Sequence, residues 1–373
     1  MLKKYSLRDY NFRLIFYVVI LNIIGLLLIG SASPDNQGKQ IFGMASGLII
    51  MLITSAIDYN WILKFNWIIY VGNIFLLFSI FLLGDDAGGA TRWIQVGPIR
   101  FQPSELSKIL LILFFAYFIQ KNQEKLNTLK VFLMMLVLSG IPIILIKKQP
   151  ALSTSIITAI VICGIWFLGG LSYKVIGSVL AVAIPTFIGS IILIVTKGKS
   201  FLEPYQYLRV MSWIQPKKYV MSALQQQNSI MAIGSGQLFG KGLNNTGAAS
   251  MKNGNFIAES HTDFIFSIAG EELGFVGCMI IIGLLLVIVI ECIMIARKSK
   301  GLAGKLIAGG MATLLVSQIF LNIGVATGFL PNTGVPLPFV SYGLTSLWSL
   351  YIGIGLVLNV GLQPKKYGRE VYR

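Results

Sequence analysis

Uncharged apolar runs of about 20 residues recur along the whole chain, separated mostly by short polar stretches. About 20 helical residues span a bilayer core roughly 30 Å thick, and backbone groups in lipid must pair within their own segment. The pattern therefore predicts membrane helices at 14–32, 40–57, 65–84, 103–120, 131–146, 151–169, 175–196, 264–296, 306–330 and 343–362. The chain reads as an all-α polytopic membrane protein of about ten transmembrane helices. It forms a single domain, 1–373, with a large extracellular loop, 197–262, between helices 7 and 8. No soluble domain is expected at either end, and no fixed-period repeat is present.

Two further polar intervals stand out. Gly84 to Gln102 is rich in glycine and polar residues and is expected to be a loop that ends at Pro103, where the fourth helix opens. Pro331 to Gly343 is apolar enough for membrane depth but carries Pro331, Pro336 and Pro338, which cannot continue a helix. It is expected to re-enter the bundle as irregular backbone. From Asp263 to Ala296 a continuous helix would run about 51 Å, longer than the bilayer core. It must project outward or break, and Gly270 or Gly274 is the cheapest place for a break.

Of the 373 residues, 55% are hydrophobic and 12% charged, against about 25% charged in a soluble domain. The net charge of +16 is unevenly placed: 17 Lys and Arg flank the helices on the N-terminal side, and six lie in the short loops opposite. By the positive-inside rule both termini are cytoplasmic. The cations are scattered over short loops, so they match anionic head groups and not nucleic acid. Ser31-Ala32-Ser33 faintly resembles a signal-peptidase site, but an uncleaved first helix is expected. Cys163, Cys278 and Cys292 lie in apolar spans without metal-ligand spacing, and His261 is the sole histidine. No disulfide or zinc site is expected.

The 14 acidic residues can be placed one by one, and none falls deep in a predicted span. A proton-coupled transporter would usually need one there. Glu259-Ser-His261-Thr-Asp263-Phe, followed by Gly270-Glu271-Glu272-Leu-Gly274, is the strongest polar constellation. Taken alone, its simpler reading is that Thr262 or Asp263 caps the next helix while Glu271 and Glu272 complement its dipole. In Gln102-Pro-Ser-Glu105-Leu-Ser-Lys108 the spacing puts Glu105 and Lys108 on one helix face, which equally suits a first-turn ion pair. Arg92 reads either as a diphosphate ligand or as a head-group anchor beside Trp93. The glycines of Ala232 to Gly242 would let backbone approach an anion with Lys241 adding charge, although the spacing is not that of a P-loop.

Together these blocks resemble the SEDS family (shape, elongation, division and sporulation), the group of RodA, FtsW and SpoVE. The resemblance is carried by Gly89-Ala-Thr-Arg-Trp-Ile, Phe101-Gln-Pro-Ser-Glu-Leu-Ser-Lys, Tyr205-Gln-Tyr-Leu-Arg, Ala232-Ile-Gly-Ser-Gly, Glu259-Ser-His-Thr-Asp-Phe-Ile-Phe and Gly334-Val-Pro-Leu-Pro-Phe-Val-Ser-Tyr-Gly. It spans nearly the whole chain, with features nearest RodA. It implies a peptidoglycan glycosyltransferase that polymerises lipid II on the outer face of the bacterial cytoplasmic membrane beside a class B penicillin-binding protein. Its service in elongation, division or sporulation is left open.

The resemblance places the essential acid on Asp263, a functional pair on Glu105 and Lys108, and basic outer-loop positions on Arg92 and Arg209. Glu259 and His261, in the same run as Asp263, are carried as substrate-binding candidates. Ala151, Leu344 and Gln237 depart from the family pattern, and Ala151 stands where an outer carboxylate is expected. An α-linked donor and a β-linked product require one inverting displacement, with one base and cations for the departing diphosphate. Asp263 is the expected base, and Arg92, Lys108, Arg209 and Lys241 the expected cations. Glu105 would orient Lys108 or hold a divalent cation, Mg2+ or Mn2+; no other cofactor is expected. The competing readings are a lipid II flippase or scramblase and a non-catalytic scaffold for the transpeptidase.

Overall fold

The computed structural model describes residues 10–87, 90–97, 99–149, 151–173, 204–244, 256–257 and 259–363, with isolated positions among 175–189 and at Gly254. Its helices are α1 (Phe12–Ala32), α2 (Pro34–Ala56), α3 (Tyr59–Leu63), α4 (Asn66–Phe78), α5 (Ile80–Leu83), α6 (Pro103–Lys121), α7 (Leu129–Lys148), α8 (Leu152–Leu168), α9 (Pro204–Ile214), α10 (Val220–Ser235), α11 (Ile265–Lys298), α12 (Leu302–Ala326) and α13 (Leu344–Leu362). Among the described residues eight helices are long and apolar enough to cross a membrane, counting α4 and α5 as one, and α8 is a shorter apolar helix. The predicted span 175–196 lies almost entirely outside the described residues.

Burial separates the central helices from the outer ones. Phe114, Phe115 and Ile119 of α6, Leu306, Ile307 and Met311 of α12, and Tyr351, Ile354 and Val357 of α13 are all buried. The outer helices keep one apolar face exposed, with Phe16 and Leu27 on α1, Ile49 and Ile53 on α2, Phe75 on α4 and Ile144 on α7. A helix apolar on every side belongs either in a core or in lipid, and the two groups divide accordingly. Small residues allow the closest approaches. The space a side chain would need at Gly47 of α2 is already taken by the Tyr351 ring of α13.

Three elements differ from expectation. Gly84 to Gln102 is not an open loop: β1 (Gly84–Ala87), β2 (Ala90–Val96) and β3 (Ile99–Phe101) form an antiparallel sheet in the order β1-β2-β3. Ile94 pairs with both Gly84 and Phe101, and the sheet is pinned to α13 because Thr345 Oγ1 donates to Arg100 O at 3.0 Å. Segment 197–262, expected to be a loop, carries two helices among its described residues, α9 and α10. Helix α2 begins at Pro34, six residues before the predicted start, with proline at a first-turn position where its missing N–H costs nothing.

Helix α11 breaks at Gly274, whose φ of 66° and ψ of −165° are non-helical. The turn after α10 is inserted into the gap. Lys241 N and Gly242 N donate to Glu271 O and Glu272 O at 2.9 and 3.0 Å, and Phe275 N and Val276 N donate to Gln237 O and Leu238 O at 2.8 and 3.0 Å. Four of the main-chain groups that a helix break would leave unpaired are satisfied in this way, as buried backbone requires. A Cβ on Gly274 would lie 2.3 Å from Gly240 N, so only glycine allows the insertion. The glycines of 232–242, read above as an anion loop, thus serve a backbone crossing.

Candidate active site

The sheet, the first turns of α6 and α8, and the irregular segment 331–343 meet at one end of the bundle. They enclose a polar cavity of about 60 Å³. Its lining comes from Arg92 and Trp93 of β2, Gln102, Glu105 of α6, Ala151, Ser153, Thr154 and Ile157 at the start of α8, and Thr333 to Pro336. Segment 331–343 is irregular yet largely buried, with Val335, Leu337, Phe339 and Val340 in the core. It is held by hydrogen bonds, among them Ser153 Oγ to Thr333 O at 2.6 Å. Irregular backbone at this depth needs such partners.

Asp263 stands at the rim of this cavity. A Cβ built on Gly334, a lining residue with φ of 69°, would lie 3.2 Å from Asp263 Oδ2 and 3.4 Å from Arg209 Nη1. The absence of a side chain at Gly334 therefore leaves space directly before the carboxylate and the guanidinium. Arg209, on α9, also donates from Nη1 to Asn332 O at 3.3 Å, which ties that helix to the same segment. Asp263 does not cap α11, since the cap residue is Phe264 and no side chain bonds the helix end. Burial holds the Asp263 carboxyl above its ordinary value, at about 6; Arg209 and Arg92 oppose the rise and Glu259 adds to it. It is thus ionised at neutral pH yet a better proton acceptor than a free carboxylate.

Glu259 is exposed with φ of 52° and accepts from Thr262 Oγ1 at 3.0 Å, closing the turn that leads into Asp263. His261 packs its ring against Tyr342 at 5.5 Å, and burial lowers its pKa against the pull of Glu259. Glu105 and Lys108 form an ion pair of 2.7 Å in which both are buried, 5% and 1% exposed. Glu105 faces the cavity and Lys108 lies behind it.

Lys241 is placed elsewhere. It pairs with Glu271 at 2.9 Å, beside the break in α11, about 12 Å along the helix from Asp263. The structure therefore sets Asp263 and Arg209 beside Gly334 of a cavity that Arg92 and Glu105 line, with Glu259 and His261 in the adjoining turn, and sets Lys241 apart. Glu105 carries Lys108 as its partner, and the described residues hold no cluster of three His, Cys, Asp or Glu side chains able to bind a metal. Sequence reasoning passed over Asn322, because an ordinary polar residue within an apolar run carries no local signal.

Comparison with known proteins agrees with this architecture. Peptidoglycan glycosyltransferase MrdB of Escherichia coli K12 is 34% identical over 362 residues, covering 96% of this chain and 95% of that protein. The probable peptidoglycan glycosyltransferase FtsW of Bacillus subtilis 168 is 32% identical over 385 residues, covering 98% and 93%. A solved peptidoglycan synthase complex, described as coordinating polymerization and crosslinking, superposes with a TM-score of 0.78 at 25% identity over 96% of this chain and 99% of that chain. The crystal structure of the rod shape determining protein RodA from Thermus thermophilus gives 0.69 at 26% identity over 96% and 98%. The cell cycle protein family that joins FtsW, RodA and SpoVE matches residues 12–366, and the chain belongs to it.

Proposed function

We propose that this protein polymerises lipid II by a single inverting displacement, with Asp263 as the general base. The chain is a peptidoglycan glycosyltransferase and a multi-pass membrane protein, in keeping with its relatives and its apolar helices. The observation that carries the mechanism is the Asp263 carboxylate at the rim of a polar cavity, beside Arg209, with no side chain at Gly334 to fill the space before it. The attacking 4-hydroxyl would give its proton to Asp263 as its oxygen bonds the anomeric carbon, and the diphosphate would leave from the opposite face. Arg92 and Arg209 would receive that charge, while Lys108, paired with Glu105, would keep that carboxylate from repelling it. No second carboxylate nucleophile is needed for inversion.

The excess of basic residues on one side favours cytoplasmic termini and a cavity facing outward. The likeness to a peptidoglycan synthase complex supports a class B penicillin-binding protein as the partner. One observation favours the flippase reading, since discontinuous helices are a transporter feature. Here, however, the break in α11 is plugged by residues 237–242 and does not line an open polar path. The test is purified protein, with its transpeptidase, given labelled lipid II in detergent. Long glycan supports the polymerase, and lipid movement across vesicles without glycan supports the flippase.

A further inference from the structure

We infer that Asn322 is a positioning residue, whose amide holds the main chain of Asp263 and of Val335 in one fixed relation and so sets where the Asp263 carboxyl lies against Arg209 and the space over Gly334. The inference rests on Asp263 being the base. Asn322 sits on α12, only 1% exposed, and its Nδ2 donates to Asp263 O at 2.8 Å and to Val335 O at 2.7 Å. A primary amide has two N–H groups, and both are used. Two carbonyl acceptors on one side also fix which way the amide faces, since the reverse orientation would set oxygen against oxygen. Its Oδ1 has no hydrogen-bond partner among the described residues. Leaving a buried acceptor unpaired is costly, so the group is retained for what the two donated bonds do.

Those bonds are the last of a series. His261 O accepts from Tyr342 N at 2.9 Å, Thr262 O from Ser341 Oγ at 2.6 Å, and Asp263 O from Asn322. Three consecutive carbonyls are thus held from behind, two of them by the irregular segment and the third by α12. Asn322 reaches both walls of the gap with one group, since Val335 adjoins Gly334, and Asn332 of the same segment accepts from Arg209. Base, guanidinium and open space are therefore coupled through one buried amide. The leading end of α11 lacks a side-chain cap, so nothing on that helix end substitutes for it.

The experiment compares Asn322→Leu, Asn322→Asp and Asp263→Asn with wild type in polymerisation of labelled lipid II, reading kcat, KM and pH profile per folded molecule, with melting alongside. Leucine keeps the volume and donates nothing. Aspartate buried between two carbonyls would carry a proton and keep one donor. Displacing a reacting group by about 1 Å costs on the order of 100-fold in rate. The expected result is therefore a kcat for Asn322→Leu about 100-fold down with KM within a factor of about three, and an intermediate kcat for Asn322→Asp. The acid limb should also shift, since Asp263 will have moved relative to Arg209, Arg92 and Glu259. If Asn322→Leu melts too low to assay, Asn322→Asp carries the same comparison. Normal kcat and an unmoved pH profile per folded molecule, with Asp263→Asn inactive, would overturn the positioning role while leaving the base assignment standing. Normal polymer from Asp263→Asn would overturn both.

Discussion

Carboxylates flank the leading half of α11, Asp263 just before its start and Glu271 and Glu272 beside its break, and the fold treats them differently. At the end beside the Gly274 break, Glu271 is 1% exposed and carries Lys241 at 2.9 Å, while Glu272 is 2% exposed and accepts from the Ser31 hydroxyl of α1. Both side chains are matched by partners the fold supplies. At the other end Asp263 is only partly buried, faces a glycine, and sits beside charges that pull its pKa in opposite directions. A matched carboxylate is a structural tie. One that the fold leaves desolvated and accessible is available for proton transfer.

The sharpest way to break this comparison is to neutralise each end. Asp263→Asn should abolish polymerisation, by at least the 10²- to 10⁴-fold that a general base contributes. Its melting temperature should not fall, because the surroundings disfavour the charge and Asp263 makes no cap to lose. Glycan formation and thermal melting on matched, monodisperse protein decide it. Normal polymer length would remove Asp263 from the mechanism.

Lys241→Met should do the reverse. Removing one partner from a buried pair costs roughly 3–5 kcal/mol. Lys241 is 23% exposed, so solvent screens part of this and about 2 kcal/mol of destabilisation is expected. Per folded molecule the rate should stay near wild type, and Lys241→Met with Glu271→Gln should recover most of the melting loss. A large drop in rate at unchanged melting would return Lys241 to the diphosphate.

How far these differences could be read in advance depends on the range of the interactions involved. The break at Gly274 was legible because an overlong apolar run and a glycine are local facts. The pairing of Lys241 with Glu271 was not, since 30 residues separate them and only the inserted turn brings them together. The sheet was missed although Trp93, Ile94 and Val96 favour strands, because glycine and aspartate on its flank suggested a loop. The site residues came from the family resemblance, and the sequence placed Asp263, Arg209 and Arg92 on separate segments. Their meeting at Gly334 depends on segment 331–343, whose position is set by tertiary hydrogen bonds. Asn322 had no signal at all, one amide within a largely apolar stretch.

A finer test uses pH. Asp263 must be ionised to accept a proton, so the rate should be full above its pKa and fall about tenfold per unit once pH drops below about 6. Arg209 favours the charged form, and removing it should raise the value. Arg209→Gln is therefore expected to move the acid limb upward by about one unit, in addition to slowing the step. A limb that stays in place, or moves down, would show that Arg209 does not act on Asp263.

The smallest effect is expected at Ala151, where the family pattern has a carboxylate. Ala151 is 2% exposed, lines the cavity with Arg92 and Glu105, and occupies the cap position of α8 without giving that helix a side-chain bond. Ala151→Asp would add a cap and a charge at the positive end of the helix dipole, which together contribute about 1 kcal/mol. Against this, the new carboxylate would share Arg92 with the departing diphosphate and face Glu105, itself already paired with Lys108. The gain in stability and the loss of positive potential act on different quantities, so melting should rise slightly while polymerisation changes by less than about tenfold, or 1.4 kcal/mol of barrier. A hundredfold increase in rate would mean that the missing carboxylate limits this enzyme. It would also mean that the cavity holds a second working acid, and that the contrast between Asp263 and the matched carboxylates of α11 is not the whole of the site's acid chemistry.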